Sequence, residues 1–246
     1  MRILISNDDG IFAPGLAALV HAFAVAGHTV YVAAPDSQRS AASHSMTLFQ
    51  PLTAKKSAVA GASKAWAIDG TPVDCVKLAV KTLCPEVDFV ISGINHGYNS
   101  GSDVLYSGTV GAAMEGALNG KPAMAVSLGH EREDTYDNAA ALAVKVFDGL
   151  QAHPLPPFSV LNLNYPETDE AQGLKATSLR ALRYLDTYEP EMGEDGGTRY
   201  TLVGMDKHMA DGEDDYTWLR RGYATMTVLT YDLTHDAATK ALEDLI

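Results

Sequence analysis

Cysteine is almost missing from this chain: its 246 residues contain two, Cys75 and Cys84, too few for a disulfide framework. On one helix they would stand about 13 Å apart, beyond disulfide reach. Both are expected as free thiols, which suits a reducing compartment and a cytoplasmic location. Long apolar runs are missing too. Met1 to Ser6 meets polar Asn7-Asp8-Asp9 too early for a secretory h-region, and no stretch approaches the roughly 18 apolar residues of a membrane span. Positive charge is scarce, with 18 Lys and Arg against 31 Asp and Glu for a formal charge of −13. That excludes the basic footprint of a general nucleic-acid binder. An anionic substrate would need local help from a cation or a helix N-terminus. With 21 glycines, 11 prolines and 46% hydrophobic residues, the composition is not collagen-like, disordered or coiled-coil. Internal repeats and low-complexity tracts are absent. What is present is a chain long enough to bury a sizeable core, as one domain or as one domain with an extension.

The first half alternates strand and helix patterns. Ile3-Leu4-Ile5 is a short apolar strand running into the turn Asn7-Asp8-Asp9-Gly10. Leu16, Leu19, Val20 and Phe23 recur at helical spacing between Pro14 and Gly27. Further strands are predicted over 29–34, 66–68, 87–92, 123–128 and 158–163, and helices over 109–119 and 136–150. Another helix opens with Thr71 as cap, Pro72 at its first position and Asp74 in its first turn. Both cysteines are read on it, and Gly93 to Tyr106 reads as a long loop. The alternation predicts an α/β fold, a Rossmann-like and mostly parallel sheet sandwiched by helices, and we place that core at 1–166. From 167 to 246 the pattern changes to an extension. It is irregular with hairpin character over 170–222, and strand-like at 199–203 and 223–231. It ends in a helix capped by Thr234 and reaching nearly to Ile246. The expected role of this extension is packing on a second subunit.

In an open parallel sheet, ligands bind beyond the carboxyl ends of the strands, and three polar clusters fall there. The first is Asn7-Asp8-Asp9-Gly10. Adjacent carboxylates repel, so ionising both requires a cation or strong hydrogen bonds, and an oxygen-rich setting suits a hard divalent ion. The same residues also read as a solvated Asp-Gly turn. The second cluster runs from Pro35 to Ser43, where Arg39 and the hydroxyls could meet an anion or a metal, or form a plain polar loop. The third runs from Ser92 to Gly101 and continues in Tyr106-Ser107-Gly108-Thr109, ahead of a helix. A phosphate there would meet unpaired amides, two hydroxyls and the positive end of the helix dipole. The alternative is an ordinary Ser or Thr cap, although neither residue has the Glu or Gln of a capping box three positions on. His44 and His96 lie within these clusters without an assigned role. Asp103 reads as a solvated loop residue and Glu115 as a single charge on a helix face. No dinucleotide fingerprint, P-loop, Gly-x-Ser-x-Gly elbow, cysteine-rich zinc pattern or Asp-x-Asp nucleophile is present.

Taken in order, the motifs resemble one family. Ile5-Ser6-Asn7-Asp8-Asp9-Gly10 with Ala13-Pro14-Gly15 comes first, followed by Ala34-Pro35-Asp36 with Arg39-Ser40. Gly70-Thr71-Pro72-Asp74-Cys75, Ser92-Gly93-Ile94-Asn95 and Asn99 come next, and Tyr106-Ser107-Gly108-Thr109 with Ala112 to Gly116 closes the series. In this the chain resembles the SurE (stationary-phase survival) nucleotidases, densely over 1–128 and more loosely beyond. The resemblance implies a metal-dependent phosphomonoesterase, a 5′-nucleotidase hydrolysing nucleoside monophosphates, with action on 3′-nucleotides left open. It implies one divalent ion, Mg²⁺ or Mn²⁺, on Asp8, Asp9, Ser40 and Asn95. It also implies phosphate contacts from Asn99, Ser107, Gly108 and Thr109, and Asp8 or Asp9 as the catalytic carboxylate. Homodimers or homotetramers would form through a C-terminal extension exchanged between subunits, with no nucleic-acid or membrane partner. The chain departs from the family pattern at Ser37-Gln38, Ala41, His44 and His96, which leaves base preference open. Two further readings of Asp8-Asp9 stand beside it: a glycosyltransferase-like site for a metal–nucleotide diphosphate, and a nucleotide sensor without catalysis.

Overall fold

A computed structural model describes residues 1–130, 135–181, 186–193, 196–203 and 212–242. The strands β1 (Arg2–Ser6), β2 (Thr29–Pro35), β4 (Lys64–Ile68), β5 (Phe89–His96), β6 (Ala123–Leu128) and β7 (Ser159–Tyr165) run parallel. The short β3 (Ala54–Ser57) closes one edge antiparallel to β4. At the other edge, β11 (Ala224–Thr230) pairs antiparallel with β7 and parallel with β8 (Leu174–Ala176). The nine-stranded order is β3-β4-β2-β1-β5-β6-β7-β11-β8. Helices α1 (Pro14–Val25) and α4 (Tyr136–Ala152) cover one face, and α2 (Pro72–Leu78) and α3 (Gly108–Leu118) the other. Side-chain alternation divides β1 between the two cores, with Ile3 and Ile5 facing α1 and α4 and Leu4 facing α2 and α3. Burial on both faces is why the central strands read as unbroken apolar runs. The sandwiched, mostly parallel α/β sheet is the predicted fold.

The structure departs from the sequence reading at identifiable places. Gly93 to His96 continues β5 rather than opening a loop, because β6 goes on pairing with it after a register shift between Ser92 and Asn95. The helix begun at Thr71 has the reciprocal cap of a capping box: Asp74 N–H donates to Thr71 Oγ1 at 3.1 Å, and Thr71 N–H donates to Asp74 Oδ2 at 2.9 Å. It stops at Leu78 and passes into a π-turn over Ala79–Leu83, so Cys84 lies beyond α2; both cysteines are free and buried. In the extension, β9 (Thr187–Met192) and β10 (Thr198–Val203) form the expected hairpin, apart from the main sheet. Helix α5 (Asp215–Arg220) precedes β11, and α6 (Asp236–Ala241) follows it. His235 caps α6 through Nδ1, while the Thr234 amide donates to Asp232. The predicted helix end at 243–246 lies outside the described residues.

Helix α3 is built from small residues so that it can lie close against the sheet. A Cβ added at Gly116 would sit 2.8 Å from Val90 Cβ. Gly116→Val is therefore expected to lower unfolding free energy by about 1–3 kcal/mol through overpacking. Urea denaturation checks this, and an unchanged midpoint would mean that α3 can lift off β5 freely.

Candidate active site at the strand ends

The carboxyl ends of β1, β2 and β5 meet at one corner. Asn7, fully buried, closes the β1 turn by donating from Nδ2 to Gly10 O at 2.9 Å and accepting the Gly10 amide at 3.2 Å. The Arg39 amide donates to Asp8 O at 2.7 Å, tying the loop after β2 to this turn. Gln38 Nε2 donates to Ser40 Oγ at 2.9 Å and to Asp9 Oδ1 at 3.4 Å. From β5, the His96 amide donates to Asp9 Oδ2 at 3.1 Å. Asn95 Nδ2 donates to Gly97 O at 2.8 Å, leaving Oδ1 as the amide atom able to ligate. Gln38 and the His96 backbone thus link Asp9 with Ser40 on one side and with the end of β5 on the other.

Asp8 is the most constrained member, only 4% exposed. Burial pushes its carboxyl up, the Thr109 hydrogen bond opposes this and the Asp9 charge adds to it, for a net rise to about 6. Thr109 Oγ1 donates to Asp8 Oδ1 at 2.5 Å. A Cβ on Gly108 would fall 2.9 Å from both Asp8 Cβ and Oδ2, so only glycine lets the first turn of α3 descend onto this carboxylate. Ser107 caps α3, its Oγ accepting the Val110 amide at 3.0 Å. The expectation of two hydroxyls facing a phosphate therefore changes. Thr109 gives its hydroxyl proton to Asp8, whereas Ser107, used as an acceptor, keeps its own.

Several partners of the named residues at this end of the sheet escaped the sequence reading, among them Asn162, Asn164 and Asp215. Asn99 is 6% exposed, and its Nδ2 donates to Ser127 Oγ at 2.8 Å. Its backbone oxygen accepts from Asn162 Nδ2 at 2.7 Å and Asn164 Nδ2 at 3.0 Å, and its amide donates to Asn164 Oδ1 at 2.9 Å. Asn162 and Asn164 were the visible signal, two polar residues at alternate positions of a mostly apolar strand. Asp215, fully buried in α5, accepts the Gly101 amide at 2.7 Å and the Arg180 amide at 3.0 Å. Glu115 is not a lone surface charge. It is 4% exposed and accepts from Lys77 Nζ at 2.7 Å and Asn119 Nδ2 at 2.8 Å, with His44 Nε2 at 3.0 Å. Desolvation pushes this carboxyl up most strongly, but the bonds from His44, Lys77 and Asn119 together hold it down to about 2. His96 Nδ1 lies 3.2 Å from Tyr136 Oη, and its ring packs edge-on against His130. A groove of about 900 Å³ between α4 and the β7–β11 edge contains none of the predicted site residues.

Among the described residues, no group of three His, Cys, Asp or Glu side chains converges as a metal cage. The set formed here is different in kind: two carboxylates, a hydroxyl and an amide oxygen. All four are oxygen donors, the preference of Mg²⁺ and Mn²⁺, and among the described residues no Lys or Arg side chain pairs with the desolvated Asp8 beside Asp9. The residues fit a hard divalent cation.

Fold and corner together define a Rossmann-like α/β protein with an acidic corner at the strand ends, faced by a helix N-terminus. The family model of Survival protein SurE matches residues 3–186, and the chain belongs to that family. It is 42% identical over 259 residues to a 5′-nucleotidase SurE of Synechococcus elongatus, covering 100% of this chain and 99% of the relative. A 5′-nucleotidase SurE of Desulforudis audaxviator is likewise 42% identical over 252 residues, covering 99% and 96%. The crystal structure of the SurE protein from Aquifex aeolicus superposes with a TM-score of 0.87 at 32% identity, covering 100% of this chain and 99% of that one.

Because the folded state raises the Asp8 carboxyl from 3.8 to about 6, the folded protein binds that proton more tightly than the unfolded chain. Ionised Asp8 therefore costs stability above pH 6, and the cost fades as pH falls from about 6 toward 3.8. In metal-free protein near neutral pH, Asp8→Asn is expected to melt on the order of 2–6 °C above wild type, with the difference closing in acid. A lower melting temperature for the variant would show that the charge is favourably held without a cation.

Proposed function

We propose that this chain is a metal-dependent phosphomonoesterase that hydrolyses nucleoside 5′-monophosphates to nucleoside and phosphate, with 3′-monophosphates as a second substrate class. The observation that carries this is the descent of the α3 N-terminus onto Asp8, which sets amide donors beside paired carboxylates. The full-length likeness to 5′-nucleotidases supports the substrate class. Asp8, Asp9, Ser40 and Asn95 would hold one Mg²⁺ or Mn²⁺. When bound, that ion supplies charge to neutralise phosphate oxygens and Lewis acidity to activate water.

The remaining work falls to the chain. The Gly108 amide and the Ser107 hydroxyl proton point donors toward the phosphate from a helix N-terminus, where the dipole adds positive potential. Asn99 has one amide hydrogen on Ser127 and a second for a phosphate oxygen. Thr109 acts through Asp8, fixing its carboxylate. That leaves Asp9, half-buried and held by the His96 amide, as the carboxylate that orients the attacking water and takes its proton. The free buried cysteines fit a cytoplasmic protein, and no described helix is long and apolar enough to cross a membrane.

Phosphate release from AMP, GMP, CMP and UMP, each as 5′ and 3′ isomers, tests this reading in chelator-stripped protein with Mg²⁺ or Mn²⁺ restored. Metal-restored hydrolysis is expected in wild type and a loss of at least about a hundredfold in Asp9→Ala. An active, metal-dependent Asp9→Ala protein would overturn the assignment.

The extension is proposed to assemble the chain into dimers or tetramers. Tyr188 faces Leu202 and Pro190 faces Tyr200 across the β9–β10 ladder, next to Met192, so the hairpin has one apolar face. Tyr188, Met192 and Tyr200 are 63%, 82% and 64% exposed, and a two-stranded hairpin is marginal alone in water. Tyr200→Glu combined with Leu202→Glu is expected to reduce the solution mass by light scattering. An unchanged mass would remove the hairpin from the interface.

A further inference from the structure

We propose that His44 is the ribose-reading residue of the nucleotide site, an inference that rests on the nucleotidase reading and deepens it. A cleft of about 930 Å³ starts at Ser43 and Ser107 and runs along α3 toward β11, bordered by His44, Leu105, Val110 and Tyr231. It shares Ser107 with the phosphate end. Its size and mixed apolar and polar lining suit a small organic ligand rather than an inorganic ion.

His44 is fixed along this cleft from two directions. Its segment is tied to the phosphate loop, because the Ser43 amide donates to Tyr106 O at 3.0 Å and Ser43 Oγ donates to Leu105 O at 2.7 Å. It also lies hard against α3: a Cβ on Gly111 would meet Ser43 O at 2.5 Å and His44 Cα at 3.2 Å. The imidazole then reaches down the helix to Glu115, with Nε2 at 3.0 Å from Oε2. Glu115 is itself clamped by Lys77 and Asn119, so the ring has one orientation and Nε2 donates. Nδ1 is left as an acceptor with no partner among the described residues, on a side chain that is 37% exposed.

Position decides what this acceptor meets. Gly111 is one helical turn, about 5.4 Å, beyond the Ser107 cap, so His44 stands about a pentose ring away from a phosphate on the α3 N-terminus. A ribose hydroxyl is the donor that falls there. The nucleobase lies further along, over the apolar lining. Glu115 is a positioning residue in this arrangement and touches no substrate.

The test uses metal-loaded full-length protein and two readouts. Calorimetry measures binding of the four ribonucleosides and their 2′,3′-dideoxy counterparts, and turnover of p-nitrophenyl phosphate reports the phosphate end without a sugar. Wild type is expected to favour the ribonucleosides by about five- to tenfold, the worth of one hydrogen bond. His44→Ala and His44→Phe should erase that preference while p-nitrophenyl phosphate turnover stays within about twofold. Phe keeps the ring's packing, so a preference surviving in His44→Phe but lost in His44→Ala would overturn hydrogen-bond readout. An equal preference in all three proteins, or a parallel fall in p-nitrophenyl phosphate turnover, would also overturn it. If wild type hydrolyses p-nitrophenyl phosphate but neither binds nucleosides nor hydrolyses nucleotides, the nucleotidase reading fails and takes this inference with it. If nucleotides are hydrolysed and only the ribose preference is missing, the His44 assignment alone fails.

Discussion

The site depends on one close approach, the first turn of α3 set down on the Asp8 carboxylate. Thr109 holds one carboxylate oxygen, and Gly108 leaves no Cβ in the way of the other. Everything in α3 serves that descent. Its small residues let it sink against β5, as at Gly116 over Val90, and Ser107 caps the turn by accepting the Val110 amide. The result places a buried negative group and a positive helix end in contact. Such a junction carries a standing cost in Asp8, whose carboxyl is pushed up to about 6 chiefly by burial. A cation with a phosphate would offset that cost from both sides, in keeping with the proposed function.

Polar groups buried around this junction keep it rigid. Asn162 and Asn164 hold the Asn99 backbone from β7, and Asp215 holds Gly101 from the C-terminal part of the chain. The loop that leads to Ser107 is thereby anchored at both the sheet and α5. Truncating any one of these partners leaves others buried and unpaired, the costly side of hydrogen bonding. The C-terminal segment contributes to the site through Asp215 as well as to the sheet through β8 and β11.

Much of this was legible in the sequence, for definite reasons. Strands buried on both faces announce themselves as apolar runs, as in Ile3-Leu4-Ile5, and Thr71-Pro72 with Asp74 marks a helix start by local chemistry alone. Ordered motifs after strands one, two and five identified the family and pointed to the corner where Gln38 and the His96 amide link Asp9 to its neighbours. What stayed hidden depends on contacts distant in sequence. Glu115 looked like a single helix charge because Lys77 and His44 lie far from it along the chain. The end of β5 looked like a loop because its pairing with β6 passes through a register shift. The Thr109 bond to Asp8 stayed hidden because the two lie 101 residues apart in sequence. His235 was overlooked as a cap because imidazole is an uncommon choice beside Thr234.

In the proposed function, paired carboxylates and the α3 N-terminus form one site that holds cation and phosphate side by side. The most direct measurement is ³¹P relaxation of orthophosphate bound to the protein in the presence of Mn²⁺. Strong paramagnetic enhancement is expected, and it should disappear in Asp9→Asn, because phosphate then has no neighbouring ion. Tight Mn²⁺ binding without enhancement would place phosphate away from the ion and contradict the account.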